Sequence, residues 1–243
     1  MDSPNDEIWA EIWGPGGVEL TETLADSMAL APGSKVLDGG AGSGETSCFL
    51  AAEYEWNVLS VEIDPQEVPG IQRKANERGL AGVVAIRGNL ADLDLADESV
   101  DGVICQGVFE MLDEQRPTAL REMKRILRPG RRIAIADPMQ TRDVPDDEAL
   151  RLYGEDDSCR FRKLFRTLDW NVDLANRTDL EVISAYYHPD SKRFWDDFYA
   201  PLLDKQGQVK EEHTHRETEV EIWKKDARRY HSIGVMVLSL NYS

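Results

Sequence analysis

Residues 36–50 read V-L-D-G-G-A-G-S-G-E-T-S-C-F-L, and no other stretch limits the fold as strongly. A short apolar run reaches an acid, passes through a glycine-rich turn and enters an apolar segment of helical composition. Glycine lacks a Cβ and tolerates positive φ, so a turn of this kind lets the backbone come within van der Waals distance of a ligand. The helix that follows directs unpaired backbone N–H groups at the same place. A strand–turn–helix unit with a small-molecule cradle is therefore expected near the N-terminus.

The rest of the chain extends that unit into a sheet. Strand and helix signals alternate from about residue 35 to 137, which predicts a parallel sheet covered by helices. Strands are expected at 35–38, 57–63, 83–87, 101–106 and 132–136, with a helix at 45–54 after the first. Within 119–127, Leu120, Met123, Ile126 and Leu127 share one helical face, and Arg128-Pro129-Gly130 ends that helix. After Asp137 the character changes. Residues 138–157 are rich in Asp and read as a loop or cap, 158–170 as a helix and 180–187 as a sixth strand. A charged, aromatic stretch at 188–231 reads as helical, and 233–240 as a closing strand that inserts antiparallel at the sheet edge.

Composition narrows the class. At 243 residues with 41% hydrophobic content, one α/β domain is expected over 1–243. Its parts would be cap helices at 1–30, a cofactor-binding half at 31–137, and a substrate-side half at 138–243 with cap insertions at 138–157 and 188–231. No run of ~18 apolar residues suggests a membrane span. The opening M-D-S-P-N-D-E is acidic where a secretory signal is basic and then apolar. Cys48, Cys105 and Cys159 show no C-x-x-C pairing, so a reduced, cytoplasmic protein is expected. The net charge of −18, from 46 acids against 28 bases, repels nucleic-acid backbones and anionic lipid. Its spread along the chain fits either an ordinary acidic surface or adaptation to high salt.

Three details bear on which ligand the turn holds. Gly40-Ala41-Gly42-Ser43-Gly44 brings the third glycine one residue too early for the dinucleotide fingerprint. Asp38 precedes the turn, where it would face a cationic or hydroxyl-rich ligand and repel a pyrophosphate. Glu62 ends the second strand, placed to accept ribose hydroxyls.

With these residues the chain resembles the class I S-adenosylmethionine-dependent methyltransferases, and in particular the small-molecule group that includes ubiquinone/menaquinone-biosynthesis enzymes. V-L-D-G-G-A-G-S-G looks like the family's first motif and V-E-I-D-P like its second. R-G-N-L-A-D-L-D-L and D-E-S-V-D-G-V-I-C-Q-G-V-F-E-M-L look like the third and fourth, and E-M-K-R-I-L-R-P-G-R-R-I-A-I-A-D-P like the fifth. The blocks cover about 14–137 in order. Asn89 stands where an acid is common beside the adenine, Arg131 replaces a glycine, and Pro69-Gly70 interrupts the second helix. The resemblance implies an α/β, doubly wound, Rossmann-like, seven-stranded, mostly parallel sheet with an antiparallel last strand and helical cap elements.

It also implies S-adenosyl-L-methionine as cofactor. Asp38 and the backbone of Gly40, Ala41, Gly42 and Gly44 would hold its methionine portion, and Glu62 its ribose. Ile63 would pack on the adenine, Asn89 and Leu90 would flank it, and Gln106 and Gly107 would sit beside the sulfonium.

In open α/β sheets ligands bind beyond the carboxyl ends of the strands. That face would gather Tyr187 and His188 from the end of the sixth strand and His231 from the start of an antiparallel seventh. These three are the catalytic candidates, the histidines as bases near neutral pH. Trp9, Trp13, Gly16, Gly17, Tyr153, Trp195, Phe198 and Tyr199 are candidates for closing the pocket. His213-x-His215 lies in a charged run without a Cys partner, so no metal site is expected.

The leading expectation is methyl transfer to a small-molecule acceptor, with no nucleic-acid partner and a homodimer left open. A nucleic-acid methyltransferase is disfavoured by the charge, and by C-Q-G-V standing where base-amino methyltransferases carry D/N-P-P-aromatic. A non-catalytic S-adenosylmethionine-binding module, or other chemistry such as aminopropyl transfer, stays open.

Overall fold

The computed structural model describes residues 14–226 and 229–240, the side chains of 155–162, 212 and 215 excepted. One seven-stranded sheet runs through it in the order β3-β2-β1-β4-β5-β7-β6. The strands are β1 (Lys35–Gly39), β2 (Asn57–Glu62), β3 (Val83–Arg87), β4 (Val100–Gln106), β5 (Leu127–Gln140), β6 (Leu180–Tyr187) and β7 (His231–Leu240). The first five pair parallel. β7 runs antiparallel to both β5 and β6. It is inserted between them instead of lying at the edge, because a strand returning antiparallel can satisfy two neighbours at once.

Helices cover both faces. Leu20, Leu24 and Met28 of α1 (Gly17–Met28), Cys48 and Phe49 of α2 (Glu45–Glu53) and Ile71 of α3 (Val68–Glu77) bury one face with Val36, Val58 and Ile104. Leu120 and Met123 of α4 (Arg116–Ile126) and Leu174 of α6 (Leu168–Arg177) bury the other with Leu37, Val103 and Ile133. Each fully buried Leu or Ile stabilises the fold by roughly 1.5–3 kcal/mol.

Four sequence expectations are corrected. Pro69 does not interrupt α3 but starts it at the first turn, where its missing N–H would be unpaired in any case. β5 is longer than expected and includes Arg128-Pro129-Gly130, since Gly130 takes a left-handed φ of 76°. The stretch read as a loop at 138–157 already contains α5 (Asp146–Leu164), which breaks at Gly154 (φ 79°). The helix expected at 158–170 is in fact the end of α5 and the start of α6, divided at Thr167, whose side chain accepts from Trp170 N–H. The excursion before β7 is helical as expected, with α7 (Ser191–Tyr199), 3₁₀ turns at Ala200–Leu202 and Glu211–Arg216, and α8 (Glu217–Asp226).

Candidate cofactor and acceptor site

The glycine turn joins β1 to α2, and its amides are engaged within the protein. Gly40 and Ala41 N–H both donate to Val61 O (2.9 and 3.1 Å), and Gly44 N–H donates to Ala41 O (2.8 Å). Gly42 N–H donates to Glu62 Oε2 (2.8 Å). These four amides are therefore not free donors to a ligand. Gly40 has φ 72°, and a Cβ there would overlap Val108. The bare α-carbon lets the chain after β4 close over the turn. That closure is held from β5: Asp137 Oδ1 accepts from Val108 and Phe109 N–H (2.9 and 3.3 Å), and Gly107 N–H donates to Ala136 O (2.9 Å).

Two acids flank the turn with different electrostatics. Asp38 is buried at the end of β1, and Ser47 donates to it at 2.5 Å while Ser60 donates to Ser47 at 2.5 Å. Burial pushes its pKa up to about 6, against the opposing Ser47 bond and with the Glu62 charge adding to the rise. A carboxyl in this state gains a partner when a cation arrives. Glu62 is held open-handed: Oε1 accepts from Ile63 and Asp64 N–H (2.8 and 3.0 Å) and Oε2 from Gly42. Three of the carboxylate's four acceptor sites are taken, and one on Oε2 remains for a hydroxyl.

Ile63, next along, is 62% exposed, an apolar platform beside that carboxylate. Asn89 caps its own turn, its Oδ1 accepting from Ala91 N–H (3.0 Å), and reaches Gln115 through Nδ2 at 3.4 Å. Leu90 is buried, and its methyls pack under Gly39; only its backbone is available at the rim. Gln106 ends β4 and is fixed to α1, accepting from Thr21 Oγ1 (2.9 Å) and donating to Gly17 O (3.3 Å).

β5–β7 pairing sets His231 opposite Gln140, so the antiparallel return does bring it to the carboxyl edge with His188. The three catalytic candidates differ once there. Tyr187 is a strap: its hydroxyl donates to Gln140 O (2.6 Å) and accepts from Leu168 N–H (3.2 Å). Both its hydrogen-bonding roles are taken, which argues against catalysis. His188 accepts from Asp190 N–H at Nδ1 (3.2 Å) and packs on Phe194. That bond assigns its proton to Nε2, and burial pushes its pKa down. His231 has Tyr153 Oη at Nε2 (2.9 Å) and Asp226 Oδ2 at Nδ1 (3.4 Å).

Sequence reasoning passed over Thr21 and Asp226, which no motif marks, and gave Asp137 of the fifth block no role. It also passed over a buried cluster in which Arg116 donates to the carbonyls of Phe109 (3.1 Å), Glu110 (2.8 Å) and Leu164. Of the pocket aromatics, Trp195 stacks on Tyr199, whose ring also meets Trp223; these pack with Val220 and Leu202. Trp9 and Trp13 lie outside the described residues, as does the His215 side chain.

Residues 37–135 match the family described as "Methyltransferase domain", and this span holds the turn, both acids, Asn89 and Gln106. Over that span the chain is similar to methyltransferase domains, and curated relatives and solved structures share the likeness. It is 31% identical over 156 residues to an O-methyltransferase of Penicillium expansum, covering 63% of this chain and 55% of that protein. Over 122 residues it is 36% identical to an arsenite methyltransferase of Halobacterium salinarum, covering 49% and 31%. The chain thus spans about half the length, or less, of these relatives. Among solved structures, an S-adenosylmethionine-dependent methyltransferase of Geobacter sulfurreducens in complex with S-adenosyl-L-homocysteine shares the fold (TM-score 0.72, 22% identity, 99% of each chain). So does phosphoethanolamine N-methyltransferase 2 of Haemonchus contortus (TM-score 0.78, 13% identity, 98% of this chain and 56% of that one).

Proposed function

We propose that this chain is a class I methyltransferase that binds S-adenosylmethionine at 38–44, 62–63, 89–90 and 106–107 and transfers its methyl group to a small-molecule acceptor. The observation that carries the reading is Glu62. Its carboxylate is locked by three backbone N–H groups beside an exposed Ile63, which suits a ribose with a purine lying on the isoleucine. Asp38 would compensate the positive charge of the methionine portion, and the close approach at Gly40 would seat its chain. When bound, the sulfonium supplies an activated methyl carbon for in-line displacement. The residues of this chain bind, orient and exclude water, and positioning of that kind can lower a barrier by roughly 7–11 kcal/mol.

The same proposal gives 31–137 to the cofactor and 138–243 to the acceptor. For an acceptor that must lose a proton, His231 has the better network. Asp226 Oδ2 lies 3.4 Å from Nδ1, which favours a proton on that nitrogen and leaves Nε2 to accept from the Tyr153 hydroxyl, so a proton taken by Tyr153 would have an onward path. A non-catalytic binding module is the remaining reading. The test is calorimetry with S-adenosylhomocysteine on the wild type and Glu62→Gln. Binding weakened by about 1–3 kcal/mol through lost charge-assisted bonds is expected; equal affinity in the two proteins would remove the ribose assignment.

A further inference from the structure

The first turn of α1, the length of α7 with the 3₁₀ turn after it, and Arg216 line a half-open cavity of about 450 Å³, the size of a small-molecule site. Its wall is one residue from the end of β4. Gly17 lines it, and the Gly17 carbonyl accepts from Gln106 Nε2 (3.3 Å) and Thr21 Oγ1 (3.1 Å). Gly16 makes the enclosure possible: a Cβ there would stand 2.9 Å from the Phe194 ring and 2.8 Å from Leu20 Cβ. Phe194 therefore lies directly on the α1 entrance.

The two arginines of the cavity are not equivalent. Arg193 is exposed and held by its own acids, with both Glu19 oxygens at 2.7 Å and Asp190 and Asp197 at 3.6 and 3.5 Å. Arg216 has a side chain only 8% exposed, with its guanidinium 4.6 Å from the Phe198 ring centroid and 5.8 Å from that of Tyr199. Its ion-pair partner Glu219 is half exposed and engages Nε and Nη2 through a single oxygen (3.1 and 2.7 Å). Water screens that pair, whereas the guanidinium is shielded by aromatic rings. A planar donor fork in such surroundings favours carboxylate or phosphate. In a chain of net charge −18, it is an attractive point for an anion within an acidic field.

We propose that this cavity takes the methyl acceptor, and that the acceptor is a small molecule with an anionic group on Arg216 and an apolar body against Phe194 and Phe198. The inference rests on the reading under Proposed function, whose cofactor site supplies the methyl group on the Gln106 side.

The test is an NMR and calorimetric titration of the protein, with and without S-adenosylhomocysteine. The probes are phenylacetate, phenyl phosphate and neutral 2-phenylethanol. At least one anion is expected to bind ten times or more tighter than the alcohol, and the preferred anion names the acceptor's acidic group. Arg216→Gln is expected to remove that preference. Glu219→Gln, which removes the carboxylate charge paired with the fork, is expected to strengthen anion binding, and it reads the idea even if Arg216→Gln fails to fold. Binding of the alcohol as tight as that of the anions, no binding of any probe, or indifference of anion affinity to Glu219→Gln would overturn the proposal. S-adenosylhomocysteine affinity is read in the same samples. Its loss counts against the methyltransferase reading, and its retention alongside any of those outcomes counts against the acceptor assignment alone.

Discussion

In the half proposed for the cofactor, Glu62 and Asp38 find partners close along the chain. Glu62 takes the amides of Ile63 and Asp64 beside it and of Gly42 across one βα unit, and Ser47 reaches Asp38 from the next turn of structure. In the acceptor half the partners are remote: Tyr187 bonds Gln140, 47 positions away, and Tyr153 bonds His231, 78 away. Both halves keep buried polar atoms without a hydrogen-bond partner, Glu110 Oε2 and Asp137 Oδ2 in the first and Gln140 Nε2 and Asn171 Oδ1 in the second. Burial pushes the Asp137 carboxyl well up, and the neighbouring Glu110 charge adds to the rise. The glycine turn is a preorganised, short-range device; the region proposed for the acceptor is a long-range assembly.

The comparison can be broken most severely at Gly40. Gly40→Val would drive a side chain into Val108 at a left-handed φ, and a loss of about 2–4 kcal/mol of stability is expected. S-adenosylhomocysteine binding should vanish with it. A Gly40→Val protein that melts normally and binds in calorimetry would mean the 107–109 closure is not tied to the turn.

Next in size is Asp137. Asp137→Ala should cost about 2–4 kcal/mol, since it strips Val108 and Phe109 N–H of their acceptor and leaves Glu110 buried alone. Asp137→Asn keeps an acceptor and gains donors toward Glu110, so near-wild-type stability at pH 7 is expected by denaturant titration. For the wild type, a raised folded pKa means this stability is complete in acid and is lost as pH rises through the folded value. The Asn variant should lack that loss.

Asp38 gives a smaller effect with a definite sign. Its folded pKa near 6 exceeds its ordinary value, so its contribution to stability without ligand is present below about pH 4 and lost as pH rises through 6. Affinity for a cationic ligand should rise over the same window as the carboxylate forms. Melting curves and calorimetry between pH 5 and 8 would check this opposition, and parallel trends would refute it. Asp38→Asn should raise the melting temperature at pH 7 while weakening S-adenosylmethionine binding.

The smallest effect belongs to Tyr187→Phe. About 1 kcal/mol of stability should go with the hydroxyl strap, with cofactor affinity unchanged. A weakened cofactor site would show that the two halves are coupled through the β5 end.

Most of the cofactor half is legible in the chain, because its chemistry is written in contiguous residues. A strand, an acid, a glycine turn and a helix each impose a short-range rule, and Glu62 and Ile63 follow from where β2 must end. What escaped there is the use of the turn's amides, which Val61 and Glu62 consume from the neighbouring strand. In the acceptor half the seven-strand count and the antiparallel β7 are readable from period and order. The insertion of β7 between β5 and β6 is not, since several strand orders bury the same apolar pattern. Tyr187, His188 and His231 were placed on the correct edge by topology alone, yet a residue's place on an edge does not say which partner its nitrogen or hydroxyl meets.

The sequence by itself determined the parallel α/β sheet and the glycine turn with its two flanking acids, because spacing and charge act within a few residues of one another. Only the tertiary structure decided that Tyr187 is a strap, that His231 sits between Asp226 and Tyr153, that Gly16 admits Phe194, and that Arg216 faces a cavity shielded by rings. Those facts depend on side chains brought together across the sheet, where packing and desolvation, not proximity in the chain, choose the partners.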